Sequence, residues 1–334
     1  MCTRAVYVGS DNLVVTGRSM DWAEDMRSNA WLFPRGMERS GGGPKPLTWT
    51  SRHGSLVVTA YDVGTADGIN EHGLVMNGLY LAEADYGEVD DRPSMTIFLF
   101  GQYVLDMFAT VDEAVAALRA DEIRVFAPAL PNGRATTVHM SISDSSGDSA
   151  IFEFLAGRLT IHHGGQYRVM TNSPTYDQQL AIAAYWSRVD PITFLPGSFN
   201  AADRFVRASY MLDAIPPALD RRIIGAVPDE AYENQAVASV MSVMRSVGVP
   251  LGVTNPALPN LSSSLWRTVY DHRRMMMFFD SATTPNTFWV PLGELDFSEG
   301  APVKKLEIAG GRIYAGNAAG EFVEAEPFAV LGAS

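Results

Sequence analysis

Apolar and polar residues alternate with a period of two from the start of the chain. Arg4-Ala5-Val6-Tyr7-Val8 predicts a strand, Gly9-Ser10-Asp11-Asn12 a turn, and 13–18 the returning strand of a hairpin. Further strands are expected over 56–61 and, beyond the Asn70-Glu71-His72-Gly73 turn, over 74–81. The spacing then becomes helical over 95–119, where Thr110-Val111-Asp112-Glu113 has the T-x-x-E form of a capping box and divides the block into two helices. A meander follows: strands over 136–143, 150–155, 158–163 and 167–171, with turns at Asp144-Ser145-Ser146-Gly147-Asp148 and Ala156-Gly157. Helices are expected over 175–188, 201–212 and 229–247, and strands again over 266–280, 286–290 and 303–308. This order fits two sheets packed face to face with helices outside them. No linker-like break or internal repeat interrupts it, so one domain over 1–334 is predicted.

Composition narrows the function classes. A chain of 334 residues, 47% hydrophobic and 19% charged, can bury a sizeable core. A net charge of −13 argues against a nucleic-acid surface. The basic pair Arg273-Arg274, which follows His272, lies in an apolar, strand-like run. The apolar stretch 95–109 contains Gln102 and Asp106 and is too short and polar to span a membrane. No basic start followed by an apolar run precedes residue 20. The chain therefore reads as a cytosolic protein, or as a mature periplasmic form whose leader was cut ahead of Cys2.

Chemistry enters with the single cysteine, Cys2. Removal of Met1 would give it a free α-amino group beside its thiol. The amine titrates near ~7.7–8.0 and the thiol near ~8.5, so one residue holds both a nucleophile and a base. One cysteine excludes an intramolecular disulfide and a cysteine-based zinc site. Taken singly, the polar residues nearby have bland readings. Arg18 and Asp21 could be a surface ion pair, Asn172 before Ser173-Pro174 a turn residue, and Arg204 with Arg207 a solvated helix face.

In order along the chain stand Met1-Cys2-Thr3, Arg18-Ser19-Met20-Asp21-Trp22, Asp67-Gly68-Ile69-Asn70-Glu71-His72-Gly73-Leu74, Met170-Thr171-Asn172-Ser173-Pro174, Leu195-Pro196-Gly197 and Asp203-Arg204-Phe205-Val206-Arg207-Ala208. With these motifs the chain resembles the choloylglycine hydrolase family of bile salt hydrolases and penicillin V acylases. The resemblance implies an α+β, four-layer αββα N-terminal nucleophile hydrolase fold, and a tetramer. It implies that Cys2 attacks a linear amide while its α-amine shuttles the proton, with Arg18 beside the sulfur and Asp21 on the amine. Asn172 and a backbone N–H near Tyr80 would hold the oxyanion, and Arg204 would keep the carboxylates and the amine terminus in register. No metal or organic cofactor is called for, and the partner is a small-molecule amide.

Gly78-Leu79-Tyr80 departs from the asparagine usual in bile salt hydrolases and looks like the penicillin V acylases of Gram-negative bacteria. Ser19-Met20-Asp21-Trp22-Ala23 and Trp31-Leu32-Phe33-Pro34 agree with them. Trp22, Tyr80 and Tyr86 are candidates for the acyl-pocket wall, each of which could equally be core packing. The resemblance implies penicillin V acylase activity, with N-acyl homoserine lactones as further substrates. The alternatives are a bile salt hydrolase and, if Met1 is retained, a non-catalytic amide-binding protein. His162 and His163, adjacent on a strand, face opposite sides, and none of the six histidines has an identifiable partner in the sequence. The run Met275-Met276-Met277-Phe278-Phe279 reads as buried strand, and Asp144 to Asp148 as a hairpin rather than a calcium loop.

Overall fold

Two sheets lie face to face, with helices on both outer surfaces. The structure is a computed structural model and describes residues 1–130, 133–189, 194–253 and 262–333. The first sheet has seven strands in the order Val169–Met170, Cys2–Val8 (β1), Val14–Trp22 (β2), Ser263–Asp271, Met276–Ser281, Thr287–Pro291 and Gly316–Asn317. The second has nine, with Val138–Ser143, Val75–Tyr80, Gly64–Asn70, Ser55–Ala60 and Ala30–Phe33 at its centre. Two helices, α1 (Ile97–Met107) and α2 (Val111–Leu118), cover the outer face of the nine-stranded sheet. Three more, α3 (Tyr176–Trp186), α4 (Ala201–Ala214) and α5 (Tyr232–Ser246), form the layer over the seven-stranded sheet. The order of layers is therefore helix, sheet, sheet, helix, as expected. No helix among the described residues is long and apolar enough to cross a membrane.

The local signals act as their chemistry requires. Thr110 caps α2 by accepting from the Glu113 N–H at 3.2 Å, while the Glu113 carboxylate reaches back to the Ala109 N–H at 2.8 Å. Ala156 and Gly157 turn the hairpin with φ of 50° and 75°. Gly17 in β2 brings α5 onto the sheet, since a Cβ there would stand 2.7 Å from Val240 Cγ1 and 2.8 Å from Met244 Cγ.

Two expectations need correction. The predicted strand 266–280 is two strands, because His272–Met275 forms the turn between them and Met275 takes φ 52°. Arg273 and Arg274 lie in that turn, where Arg274 pairs with Asp271 at 2.6 Å. The strands Gly64–Asn70 and Ala30–Phe33 were not anticipated from periodicity. Gly64-Thr65-Ala66-Asp67-Gly68 offers no run of large apolar side chains, and its place in the sheet is fixed by neighbours on both sides.

Candidate active site

Alternation along β1 and β2 decides which side chains meet. Cys2 and Arg4 in β1, and Arg18 and Met20 in β2, project between the sheets, whereas Thr3 and Asp21 face the α3–α5 layer. Cys2 is only 2% exposed, and its Sγ lies 3.8 Å from Arg18 Nη2 and 3.8 Å from Met20 Sδ. Arg18 is held from three sides. Its Nη2 donates to the Gly78 carbonyl at 2.8 Å, its Nε is 3.8 Å from Asp67 Oδ2, and its guanidinium stacks 4.5 Å from the Trp266 ring centroid. The guanidinium thereby stands as a fixed cation beside the sulfur.

Asp67 is a buried carboxylate that accepts from Asn77 Nδ2 at 2.9 Å, Thr268 Oγ1 at 3.1 Å and the Tyr270 hydroxyl. Burial pushes its carboxyl above the usual range, while Arg18 and these donors pull it back. Asp67 belongs to a motif noted in the sequence, but nothing there linked it to Arg18.

A second cluster surrounds the backbone of Cys2. Arg204, fully buried on the first turn of α4, donates to the Cys2 carbonyl at 2.8 Å, Thr3 Oγ1 at 2.5 Å, Asn172 Oδ1 at 3.0 Å and Asp21 Oδ2 at 3.3 Å. Asp21 Oδ1 also accepts from Ser264 Oγ at 2.5 Å. An extra residue, Leu265, interrupts the register between Ser264 and Trp266. That bulge places Ser264 on the face of Asp21, while Trp266 stays on the face of Arg18. Arg18 and Asp21 lie three residues apart on opposite faces of β2 and do not meet at one locus. They reach Cys2 instead from opposite faces, Arg18 at the sulfur and Asp21 through Arg204 at the backbone.

Asn172 joins the two clusters. Its Oδ1 accepts from the Cys2 N–H at 2.5 Å, and its Nδ2 donates to the Tyr80 carbonyl at 2.6 Å. The neighbouring Leu81 N–H bonds Thr137 across the ladder at 3.0 Å. By alternation, the Tyr80 N–H and C=O therefore face away from that strand, on the edge that Asn172 occupies. Asp21 was expected to hold the terminal amine with its carboxylate. With Met1 present, the Met1 ammonium donates to the Asp21 main-chain carbonyl at 2.6 Å. Burial lowers the pKa of this ammonium; Cys2 and Asp21 raise it in part, and Arg204 and Arg18 lower it further.

Sγ opens onto a pocket of about 810 Å³ whose walls include Trp22, Met76, Tyr80, Phe98, Phe100 and Met140. Trp22 and Tyr80 stand at its rim with ring centroids 6.3 Å apart. Tyr86 is not part of this wall. It packs against Phe154 at 5.1 Å in the core beneath α1, and its hydroxyl bonds the Val138 N–H at 3.1 Å and C=O at 3.2 Å. His139, read from sequence as lacking partners, is buried at the pocket, with Nε2 2.8 Å from the Thr171 carbonyl and Nδ1 3.1 Å from Glu153 Oε1. It thereby anchors the residue before Asn172. Two groups among the described residues, His53 with Glu71 and His72, and Asp112 with Asp148 and His163, hold donor atoms within 4.8 Å of one another. Neither group lines the Cys2 pocket.

Residues 2–304 match the linear amide C–N hydrolases, choloylglycine hydrolase family. A penicillin V acylase from Pectobacterium atrosepticum is 43% identical, covering 99% of this chain and 92% of its own. The solved structure of penicillin V acylase from Agrobacterium tumefaciens superposes with a TM-score of 0.89 at 48% identity, covering 99% of this chain and 100% of that one. A variant of conjugated bile acid hydrolase from Clostridium perfringens shares the fold, with a TM-score of 0.74 at 19% identity over 94% of this chain and 99% of its own.

Proposed function

The chain belongs to the choloylglycine hydrolase family of linear amide C–N hydrolases, and within it we propose an acylase of the penicillin V type that works through Cys2. The observation that carries this reading is the position of Cys2: Sγ at the floor of an apolar pocket, and its backbone nitrogen 2.5 Å from Asn172. Once Met1 is removed, the Cys2 amine takes the thiol proton and Sγ attacks the amide carbon. The oxyanion is held by Asn172 Nδ2 and the Tyr80 N–H. The C–N bond breaks as the ammonium returns its proton to the leaving nitrogen, and an acyl thioester remains. Water, deprotonated by the same amine, attacks the thioester, and the acid and free thiol are released. Arg18 stabilises the thiolate, Asp67 holds Arg18, and Arg204 and Asp21 fix the backbone of Cys2.

An aromatic rim over an apolar floor suits a flat phenoxyacetyl group. The same floor, which continues to Phe98 and Phe100 of α1, also accommodates linear chains, so N-acyl homoserine lactones are the second substrate class. Exposed Tyr185 on α3 and Phe194 after it support assembly into a homo-oligomer, expected as a tetramer and read by light scattering. Hydrolysis of penicillin V, a long-chain homoserine lactone and glycocholate tests the substrate reading. Fastest turnover of penicillin V supports it, and fastest turnover of glycocholate makes the chain a bile salt hydrolase instead.

A further inference from the structure

Away from Cys2, one turn of the chain carries donor atoms that the amide chemistry does not use. The turn Asn70-Glu71-His72-Gly73 leads from the strand Gly64–Asn70 to Val75–Tyr80, and His53 stands just ahead of Ser55–Ala60. His53 and His72 meet edge to face, with ring centroids 4.5 Å apart and planes at 74°. A ring nitrogen of each and a carboxylate oxygen of Glu71 lie within 4.8 Å of one another. Among the described residues, no hydrogen bond occupies a ring nitrogen of either histidine. An ion on an imidazole nitrogen at ~2.0–2.1 Å is ~3.2 Å from the ring centre, so two rings sharing it have centres ~4.5–5.2 Å apart. The two rings already have that spacing.

The backbone that carries these residues is fixed by the C-terminal end of α1. The N–H groups of Arg52 and His53 donate to the Asp106 carbonyl at 2.8 and 3.0 Å. Asn70 Nδ2 donates to the carbonyls of Leu105 and Phe108 at 2.9 and 2.8 Å, and its Oδ1 accepts from the His72 N–H at 3.0 Å. Glu71 Oε1 accepts from the Gly54 N–H at 2.8 Å and lies 3.3 Å from Arg35 Nε, which leaves the second oxygen for an ion. Of the charged groups around His53, Glu71 and Glu113 are negative and Arg52 is positive. We propose that His53, Glu71 and His72 bind one divalent ion of the zinc class, which clips the chain ahead of Ser55 to the 70–73 turn. Two imidazoles and one carboxylate suit zinc, whereas calcium and magnesium take oxygen donors. Three protein ligands leave a fourth position for water. None of the three residues lines the Cys2 pocket, so the ion acts on stability and not on the amide chemistry.

The test titrates zinc chloride into the untagged, chelator-stripped enzyme by calorimetry, and follows thermal unfolding in EDTA and in zinc. One ion per chain is expected, with Tm raised by about 3–8 °C when free zinc exceeds Kd a hundredfold. His72→Gln, at an exposed position, and Glu71→Gln are the deciding variants. Each should weaken zinc binding about tenfold or more, since even the outer partners of a metal site are worth that much. Binding is read below the unfolding transition, on variants shown to be folded by circular dichroism. Cys2→Ser removes the single thiol, and His163→Gln disrupts the group of Asp112, Asp148 and His163. Both should bind zinc as the wild type does. No binding by the wild type, no rise in Tm, or undiminished binding by His72→Gln and Glu71→Gln overturns the proposal. Loss of binding in Cys2→Ser or His163→Gln places the ion elsewhere and overturns it equally.

Discussion

The carboxamide of Asn172 binds two strands at once: its oxygen accepts the Cys2 N–H at 2.5 Å and its nitrogen donates to the Tyr80 carbonyl at 2.6 Å. A residue that follows the edge strand Val169–Met170 of one sheet thereby sets the distance between the nucleophile and the other sheet. Replacing Asn172 by Ala removes both links and the side-chain donor to the oxyanion. We expect kcat to fall by ~10²–10³ with little change in KM, as the loss of one oxyanion donor does. Steady-state kinetics decide this, and a rise in KM alone would make Asn172 a binding residue.

Arg18 and Asp67 form a buried pair, both fully shielded from solvent. Arg18→Met should abolish most turnover and leave the Asp67 charge without its partner, at a cost of ~3–5 kcal/mol in stability. Adding Asp67→Asn should recover part of the stability but none of the activity. Urea titration and kinetics on the two single variants and the double variant measure both effects. Equal stability of Arg18→Met and the double variant would show that the charges are not coupled.

Tyr80 and Tyr86 are predicted to behave oppositely. Tyr80→Asn should shift the ratio of penicillin V to glycocholate hydrolysis toward the bulkier steroid amide, because Tyr80 forms the rim with Trp22. Tyr86→Phe should leave that ratio unaltered and cost ~0.5–1.5 kcal/mol through its lost bonds to Val138. A changed ratio in Tyr86→Phe would restore it to the pocket wall.

His272 links the two sheets, with Nε2 2.8 Å from Thr16 Oγ1 in β2 and Nδ1 2.8 Å from the Gly73 carbonyl. Burial lowers its pKa from 6.5 to about 4. Below pH 6.5 the unfolded chain takes up a proton that the folded chain refuses until about pH 4. Stability present at neutral pH should therefore be lost between pH 6.5 and about 4, by at most about 3 kcal/mol from this residue. His272→Gln cannot titrate and should flatten the fall across that window. Identical pH dependence in the two proteins, measured by urea unfolding, would remove His272 as the cause.

What the sequence disclosed follows a physical division. Strands and helices with their own periodicity, caps or turn residues were legible: the 4–18 hairpin, the Thr110 capping box and the Ala156-Gly157 turn depend on neighbours within a few residues. Gly64–Asn70 was not, because small residues in a central strand are placed by the sheet around them. The same holds at the site. Cys2 announced itself through its position and the uniqueness of its thiol. The links from Arg18 to Asp67, from Asp21 to Ser264 and from His139 to Thr171 span 49, 243 and 32 residues (67−18, 264−21 and 171−139). Only the folded sheets bring such residues together, and the bulge at Leu265 that redirects Ser264 has no signature in the local sequence. Tyr86 was misplaced because aromatic type carries no information about which face of a sheet a side chain takes.

The most direct test of the account is an intact-mass spectrum of the purified enzyme, alone and acid-quenched during turnover of its best amide substrate. The account predicts a resting chain that lacks Met1 and a quenched chain that carries one acyl group, localised by peptide mapping to Cys2. An active enzyme that retains Met1, or an acyl group found on any other residue, would contradict it.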